Sequence, residues 1–188
     1  NEAEMGSHLL LLAPPPAHML RKDPVLEAYQ QEIAYVFHAL RWLGARPQEI
    51  EDLAQEVFIA LRRSWPTYDP SRPLRPYLFG VAFRVVSMQR RKRKNEVAFA
   101  RLEVQDGAPG PDDALQAKQA RATVLGALER IPLRRRAVLV MHDLEEVPML
   151  QVAKALSIPL FTAYSRLRKA RKELEAAVRR IGKDERKP

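Results

Sequence analysis

The stretch MLQVAKALSIPLFTAYSRLRKAR, residues 149–171, decides how this chain is read. Leu150, Val152, Ala153 and Leu156 place apolar groups on one short helix. Ser157-Ile158-Pro159 then forms a tight turn, because a proline cannot continue the preceding helix. A second helix follows and carries Thr162, Tyr164, Ser165, Arg166, Arg168, Lys169 and Arg171. Leu167, Ala170, Leu174, Val178 and Ile181 recur at helical spacing and tie this second helix to a core, while small Ala153 lets the two helices approach. The pattern is a helix–turn–helix, whose second helix lies in the major groove with its N-terminal residues at base edges. Arg168 shares a face with Tyr164 and Arg171, away from the apolar stripe, and is expected on DNA. Arg166 lies about 200° around the helix from Arg168 and is expected on phosphate or on an intramolecular acid. The competing reading is a helical hairpin with a basic exterior.

Working outward, this motif ends a block of helical periodicity over residues 114–181, with helices expected over 115–130, 133–142, 149–156 and 160–181. Residues 182–188 are a polar tail. Before the block, residues 95–113 hold Asp106-Gly107-Ala108-Pro109-Gly110-Pro111, turn acidic and lose periodicity, as a linker does. A second block spans residues 23–94. Asp23-Pro24 supplies an N-cap acceptor and a proline at the first helical position. Leu26, Tyr29, Ile33, Val36, Phe37 and Leu40 then make one apolar face, and Gly44 and Pro47 close the helix. Ile50, Leu53, Ala54, Val57, Phe58 and Leu61 face inward on a second helix. Pro66 and Asp69-Pro70-Ser71-Arg72-Pro73 make a loop, and a third helix runs from about Leu74 to Lys94. No stretch alternates as a strand would. The fold class is all-α: two small helical domains joined by a flexible linker, with residues 1–22 left as an N-terminal tail.

Two faces of the first block carry information. With Leu53, Ala54, Val57 and Phe58 buried, Asp52, Gln55, Glu56 and Ile59 form an outward stripe. Acidic groups repel DNA, so this face suits a protein partner. The third helix instead sets Tyr77, Phe79 and Phe83 beside Arg84 and the run Arg90-Arg91-Lys92-Arg93-Lys94. Rings that stack on bases, beside cations that hold phosphates, are what single-stranded DNA requires. Core packing is the competing role for the rings, and a solvated helix end for the cations.

Composition points the same way. Lys and Arg number 32 against 23 Asp and Glu, a formal charge of +9, which favours a polyanionic partner. The chain has no cysteine, which excludes disulfides and thiolate chemistry and suits the cytoplasm. The early apolar run from Leu9 is too short to span a bilayer and is broken by Pro14-Pro15-Pro16, with no charged segment before it to make a secretory signal. The seven glycines are scattered rather than gathered into a phosphate loop, and His8, His18, His38 and His142 have no metal-ligand spacing. No catalytic residue, metal or cofactor is expected, and the chain is not expected to be an enzyme.

EDLAQEVF at 51–58, YDPSR at 68–72 and YLFGVA at 77–82, followed by ALERIP at 127–132, DLE at 143–145 and TAYSRLRKAR at 162–171, resemble regions 2 and 4 of the extracytoplasmic-function sigma factors of bacterial RNA polymerase. The resemblance spans about residues 23–180 and rests on two separate motifs in order. It implies a factor that binds the clamp and flap of core RNA polymerase, recognises promoters, melts DNA and starts transcription. Asp52, Gln55, Glu56 and Ile59 would meet the clamp. Tyr77, Phe83, Arg84, Arg90, Arg91 and Arg93, with the 66–74 loop, would take the opened strand at the −10 element. Thr162, Tyr164, Ser165, Arg166, Arg168 and Arg171 would contact duplex at the −35 element. An anti-sigma factor is an expected partner. The family has Trp where Tyr77 stands, Asn for Arg84, Gly for Phe161, and acids for Leu150 and Gln151. The alternative is a stand-alone helix–turn–helix regulator, with the first block serving to dimerise.

Overall fold

In the computed structural model, the backbone is described for residues 23–99 and 123–184. It is helical, and no strand occurs among the described residues. Helix α1 (Pro24–Trp42) starts as its sequence dictates: the Val25 amide donates to Asp23 Oδ1 at 3.0 Å, and Pro24 occupies the first turn. It ends at Gly44, whose φ of 78° is a left-handed value that glycine adopts without strain. A short 3₁₀ turn (Pro47–Glu49) leads into α2 (Ile50–Ser64), and another (Trp65–Thr67) into the loop before α3 (Leu74–Phe99). The three helices pack on one another pairwise.

All six residues expected inside on α2 are buried. The face of α1 departs from the expected one at its start, while Ile33, Val36, Phe37 and Leu40 lie in or against the core as expected. Leu26 and Tyr29 are exposed, and Val25, Ala28, Ala39 and Leu43 join Val36 and Leu40 in the core. Tyr29 still contributes from the edge, its ring 4.8 Å from Phe58 in a T-shaped contact. Helix α3 continues to Phe99, past the expected boundary at 94. The rest of the expected linker and both tails lie outside the described residues, as does the start of the helix expected from 115.

The second domain comprises α4 (123–129), α5 (Leu133–Leu139), α6 (Met149–Ala155) and α7 (Leu160–Asp184). A wide π-type turn (Val140–Leu144) prolongs α5, and the chain then reverses through Glu146 at φ 54°. At α6, Val152, Ala153 and Leu156 are buried as expected and Met149 joins them, while Leu150, expected inside, is exposed. On α7, Ala163, Leu167, Ala170 and Ala177 are buried and Val178 is exposed, so the stripe runs through alanines, and α5 packs there closely.

The two domains touch. Leu78, Phe79, Gly80, Val81 and Ala82 on α3 are buried in succession, which a helix covered on one side cannot achieve. Helices α1 and α2 cover one side and α6 packs on the other, so the buried residues of both domains form one continuous cluster.

Candidate polymerase and nucleic-acid interfaces

Asp52, Gln55, Glu56 and Ile59 stand exposed on α2, opposite its buried face. Ile59 is 51% exposed within this polar stripe. An aliphatic side chain ringed by acids and an amide is a surface that a protein partner can cover.

The aromatic site is broader than its sequence pattern. Trp65 stacks on Tyr68 at 5.1 Å, and Tyr68 meets Tyr77 at 5.0 Å. The Tyr77 hydroxyl donates to Ser64 Oγ at 2.7 Å, and the Tyr68 hydroxyl to the Arg72 carbonyl at 2.6 Å. These bonds hold the rings in a ladder at the mouth of the 68–72 loop. Asp69 fixes that loop by accepting from the Ser71 hydroxyl and amide, which hold its carboxyl below the usual range. Trp65 was not among the sequence candidates, and Tyr68 was included only as part of the 66–74 loop. Tyr68 lay within a quoted motif, and the signal was a third ring close to Tyr77. Tyr77 and Phe83 are half-buried and pack against the core, which makes them part wall and part surface. Arg84 is exposed and lines a cleft of about 440 Å³ with Arg72 and Tyr77 on one side and Gln151 and Lys154 on the other.

Three cations expected on DNA are committed elsewhere. Arg90 donates to the carbonyls of Leu43 and Gly44 at 2.9 and 3.2 Å, closing the C-terminal end of α1, where the helix dipole favours positive charge. Burial pushes its guanidinium down. Arg93 pairs with Glu49. Arg171 makes a two-pronged bond to Asp143 at 2.9 and 2.8 Å, and that guanidinium holds the Asp143 carboxyl below the usual range. Carboxylates and free carbonyls within reach account for all three. Arg91 remains exposed.

On α7, Arg168 and Tyr164 are exposed, and Phe161 is 84% exposed at the start of the helix. Arg166 has no acidic partner within ion-pair distance among the described residues. It is half-buried, and burial, then the neighbouring charge of Arg134, lower its pKa. With Thr162, Ser165 and Phe161 it lines a cleft of about 530 Å³, whose opposite wall is Ser87 and Arg91 of α3. His142 and Asp143, adjacent in sequence, serve structure: His142 Nδ1 lies 3.0 Å from the Val147 carbonyl, and Asp143 holds Arg171.

Two family models match this chain in the order its motifs suggest. Sigma-70 region 2 covers residues 28–96, and Sigma-70 region 4 covers residues 121–174. The chain belongs to the sigma-70 family, in its extracytoplasmic-function branch. As a sigma factor it directs RNA polymerase to promoters, and the stand-alone regulator reading has no support. Among relatives, it is 26% identical over 168 residues to the ECF RNA polymerase sigma factor SigW of Bacillus subtilis, covering 82% of this chain and 87% of that one. It is 25% identical over 144 residues to the RNA polymerase sigma factor NccH of Alcaligenes xylosoxydans xylosoxydans, covering 73% and 77%. Its fold matches the sigma factor RpoE in complex with the anti-sigma factor NepR from Bartonella quintana, with TM-score 0.65, 21% identity, and coverage of 81% of this chain and 98% of that one. No helix among the described residues is long and apolar enough to cross a membrane.

Proposed function

We propose the following division of labour within this sigma factor. The α2 stripe of Asp52, Gln55, Glu56 and Ile59 docks on the polymerase clamp. The Trp65–Tyr68–Tyr77 ladder, with Phe83 behind it and Arg72, Arg84 and Arg91 around it, holds the opened −10 strand by stacking and charge. Thr162, Tyr164, Ser165, Arg166 and Arg168 meet the −35 duplex, and the second domain also contacts the flap. Arg90, Arg93 and Arg171 shape these surfaces without touching DNA. The factor supplies no chemistry of its own and works in the cytoplasm, where the polymerase is.

The observation that carries this reading is the separation of two surfaces in region 2. Asp52, Gln55, Glu56 and Ile59 stand exposed on α2, and the ladder of Trp65, Tyr68 and Tyr77 lies past the end of that helix beside exposed Arg72 and Arg84. One small domain thus offers one face to protein and another to nucleic acid. The RpoE relative is solved with an anti-sigma factor, and a partner of that class is proposed here too. The experiment is in vitro transcription with purified core polymerase on promoter libraries. Specific starts should require this factor and disappear with Asp52→Lys/Glu56→Lys. Full activity of that double variant would remove α2 from the clamp.

A further inference from the structure

One ring of the second domain has no role in its fold. Phe161, at the start of α7, is 84% exposed, the highest value for a large apolar side chain among the described residues. It lies outside the core cluster and meets no other aromatic ring among those residues. A phenyl group left in water forgoes the gain that burial gives, so a polar residue would serve the domain as well. The helix fixes the face on which it stands. Residues turn by about 100° each, which sets Phe161 opposite buried Ala163, Leu167 and Ala170 and within about 60° of Tyr164, Ser165 and Arg168. The ring therefore heads the stripe proposed for the −35 duplex, one turn before Tyr164 and two before Arg168.

The surroundings select the partner. From Phe161 to Lys172, the polar residues of α7 are cations and hydroxyls, with no acid. Arg91, Arg134, Arg166 and Lys169 share the cleft that Phe161 lines. Such a surface draws phosphate, whereas Ile59, the exposed aliphatic group of region 2, sits among Asp52 and Glu56. A recognition helix enters the major groove with its N-terminal residues at base edges. Nearly everything those edges present is a hydrogen-bond donor or acceptor. An apolar ring against such a group strips its water and returns no hydrogen bond. The exception is the 5-methyl group of thymine, which a phenyl ring can cover.

We infer that Phe161 reads a thymine in the −35 element, packing its ring on the 5-methyl group at the base pair met by the start of α7. The family pattern has glycine at this position, so the preference belongs to this chain and separates its promoters from those of relatives without the ring. The inference rests on the −35 docking of α7 proposed above, which Arg168→Ala tests separately.

Holoenzyme assembled from core polymerase and the full-length factor is used to select promoters from a duplex library with the −35 element randomised. Wild type should enrich thymine at one position. Phe161→Ala, whose methyl is too short to reach the base, should lose that preference and keep the others. On the selected promoter, uracil in place of that thymine removes only the methyl group. It should weaken wild-type binding by about fourfold, the factor for one buried carbon, and leave Phe161→Ala binding unchanged. The salt slope of promoter affinity should be the same for both proteins, since the ring meets no phosphate. Both should melt alike, because the ring is exposed. A Phe161→Ala protein that keeps the thymine preference, or a uracil effect equal in the two proteins, overturns the inference. So does a loss of affinity for core polymerase with base preferences unchanged, which gives Phe161 to a protein partner. If Arg168→Ala lowers promoter affinity or salt slope while Phe161→Ala matches wild type throughout, α7 docks at the −35 element and only the thymine contact fails. If both variants match wild type, the docking fails with it.

Discussion

Regions 2 and 4 are both small helical domains with a surplus of arginine, yet they use it differently. Region 2 spends Arg90 and Arg93 on holding its own helices, one on the end of α1 and one on Glu49. Its surface for nucleic acid is then built chiefly of rings. Region 4 spends Arg171 on Asp143 but leaves Arg168 and Lys169 exposed beside Tyr164. The difference suits the two forms of DNA. Unpaired bases offer faces to stack on, whereas duplex offers phosphates and groove edges. The role of a cation therefore depends on whether a carbonyl or carboxylate of the fold reaches it first.

The largest expected effect breaks the comparison at its root, because it concerns the acidic stripe of α2, the surface of region 2 proposed for protein rather than DNA. Asp52→Lys/Glu56→Lys should weaken binding to core polymerase by about a hundredfold, as opposing like charges across an interface cost several kcal/mol. Helicity should not change, since both side chains are exposed. A pull-down with undiminished core polymerase would show that region 2 docks through another surface.

The next effect tests the rings. Tyr77→Ala should impair open-complex formation by about 1–3 kcal/mol per lost stack, and a pre-melted template should change the size of the defect. Because Tyr77 also bonds Ser64, part of the loss is one of folding, about 1 kcal/mol. Tyr77→Phe separates the two by keeping the ring and removing the hydroxyl. It should lower the melting temperature and leave strand capture near wild type. Equal defects on duplex and pre-melted templates would assign Tyr77 to the core.

Much of this was legible in the sequence, for reasons that particular residues make plain. Helix α2 has a single possible apolar face, so Ile50 to Leu61 could be assigned without ambiguity. Helix α1 has two overlapping apolar series, and the larger side chains of Leu26 and Tyr29 drew the face away from Val25 and Ala28. The helix–turn–helix was legible because proline and a basic amphipathic helix are local signals. What pairs with an arginine is not local. Arg90 reaches back to Leu43, and Arg171 back to Asp143, and nothing in either neighbourhood distinguishes them from Arg91 or Arg168. The unbroken run Leu78–Ala82 did carry a signal for cover on two sides, but the covering surface at Ala155 lies in another domain.

A smaller effect sharpens the comparison on the recognition helix. Arg168 has no ion-pair partner among the described residues and is exposed. Arg168→Ala should lose either one phosphate contact, reducing the salt slope of promoter affinity by about 0.9, or a base contact, costing about 1–3 kcal/mol and relaxing preference at one position. Titration across salt on matched and altered −35 elements reads which. A variant equal to wild type in affinity, slope and preference would remove Arg168 from the groove.

The smallest effect belongs to Arg171, and its value lies in the contrast with Arg168 three residues away. Its bond to Asp143 joins α7 to the turn after α5, so Arg171→Ala should act on stability rather than on DNA. Both partners are partly solvated, so solvent screening limits the loss to under about 1 kcal/mol. The pH dependence follows from Asp143, whose folded pKa lies below its unfolded value. A depressed carboxyl contributes stability that is present above the unfolded pKa, about 4, and is lost as pH falls through the folded one. Wild type and Arg171→Ala should therefore differ in melting temperature at neutral pH and converge in acid. Their affinities and salt slopes on the −35 element should agree throughout. A reduced salt slope with unchanged melting would return Arg171 to the DNA and erase the distinction between paired and free cations on this helix.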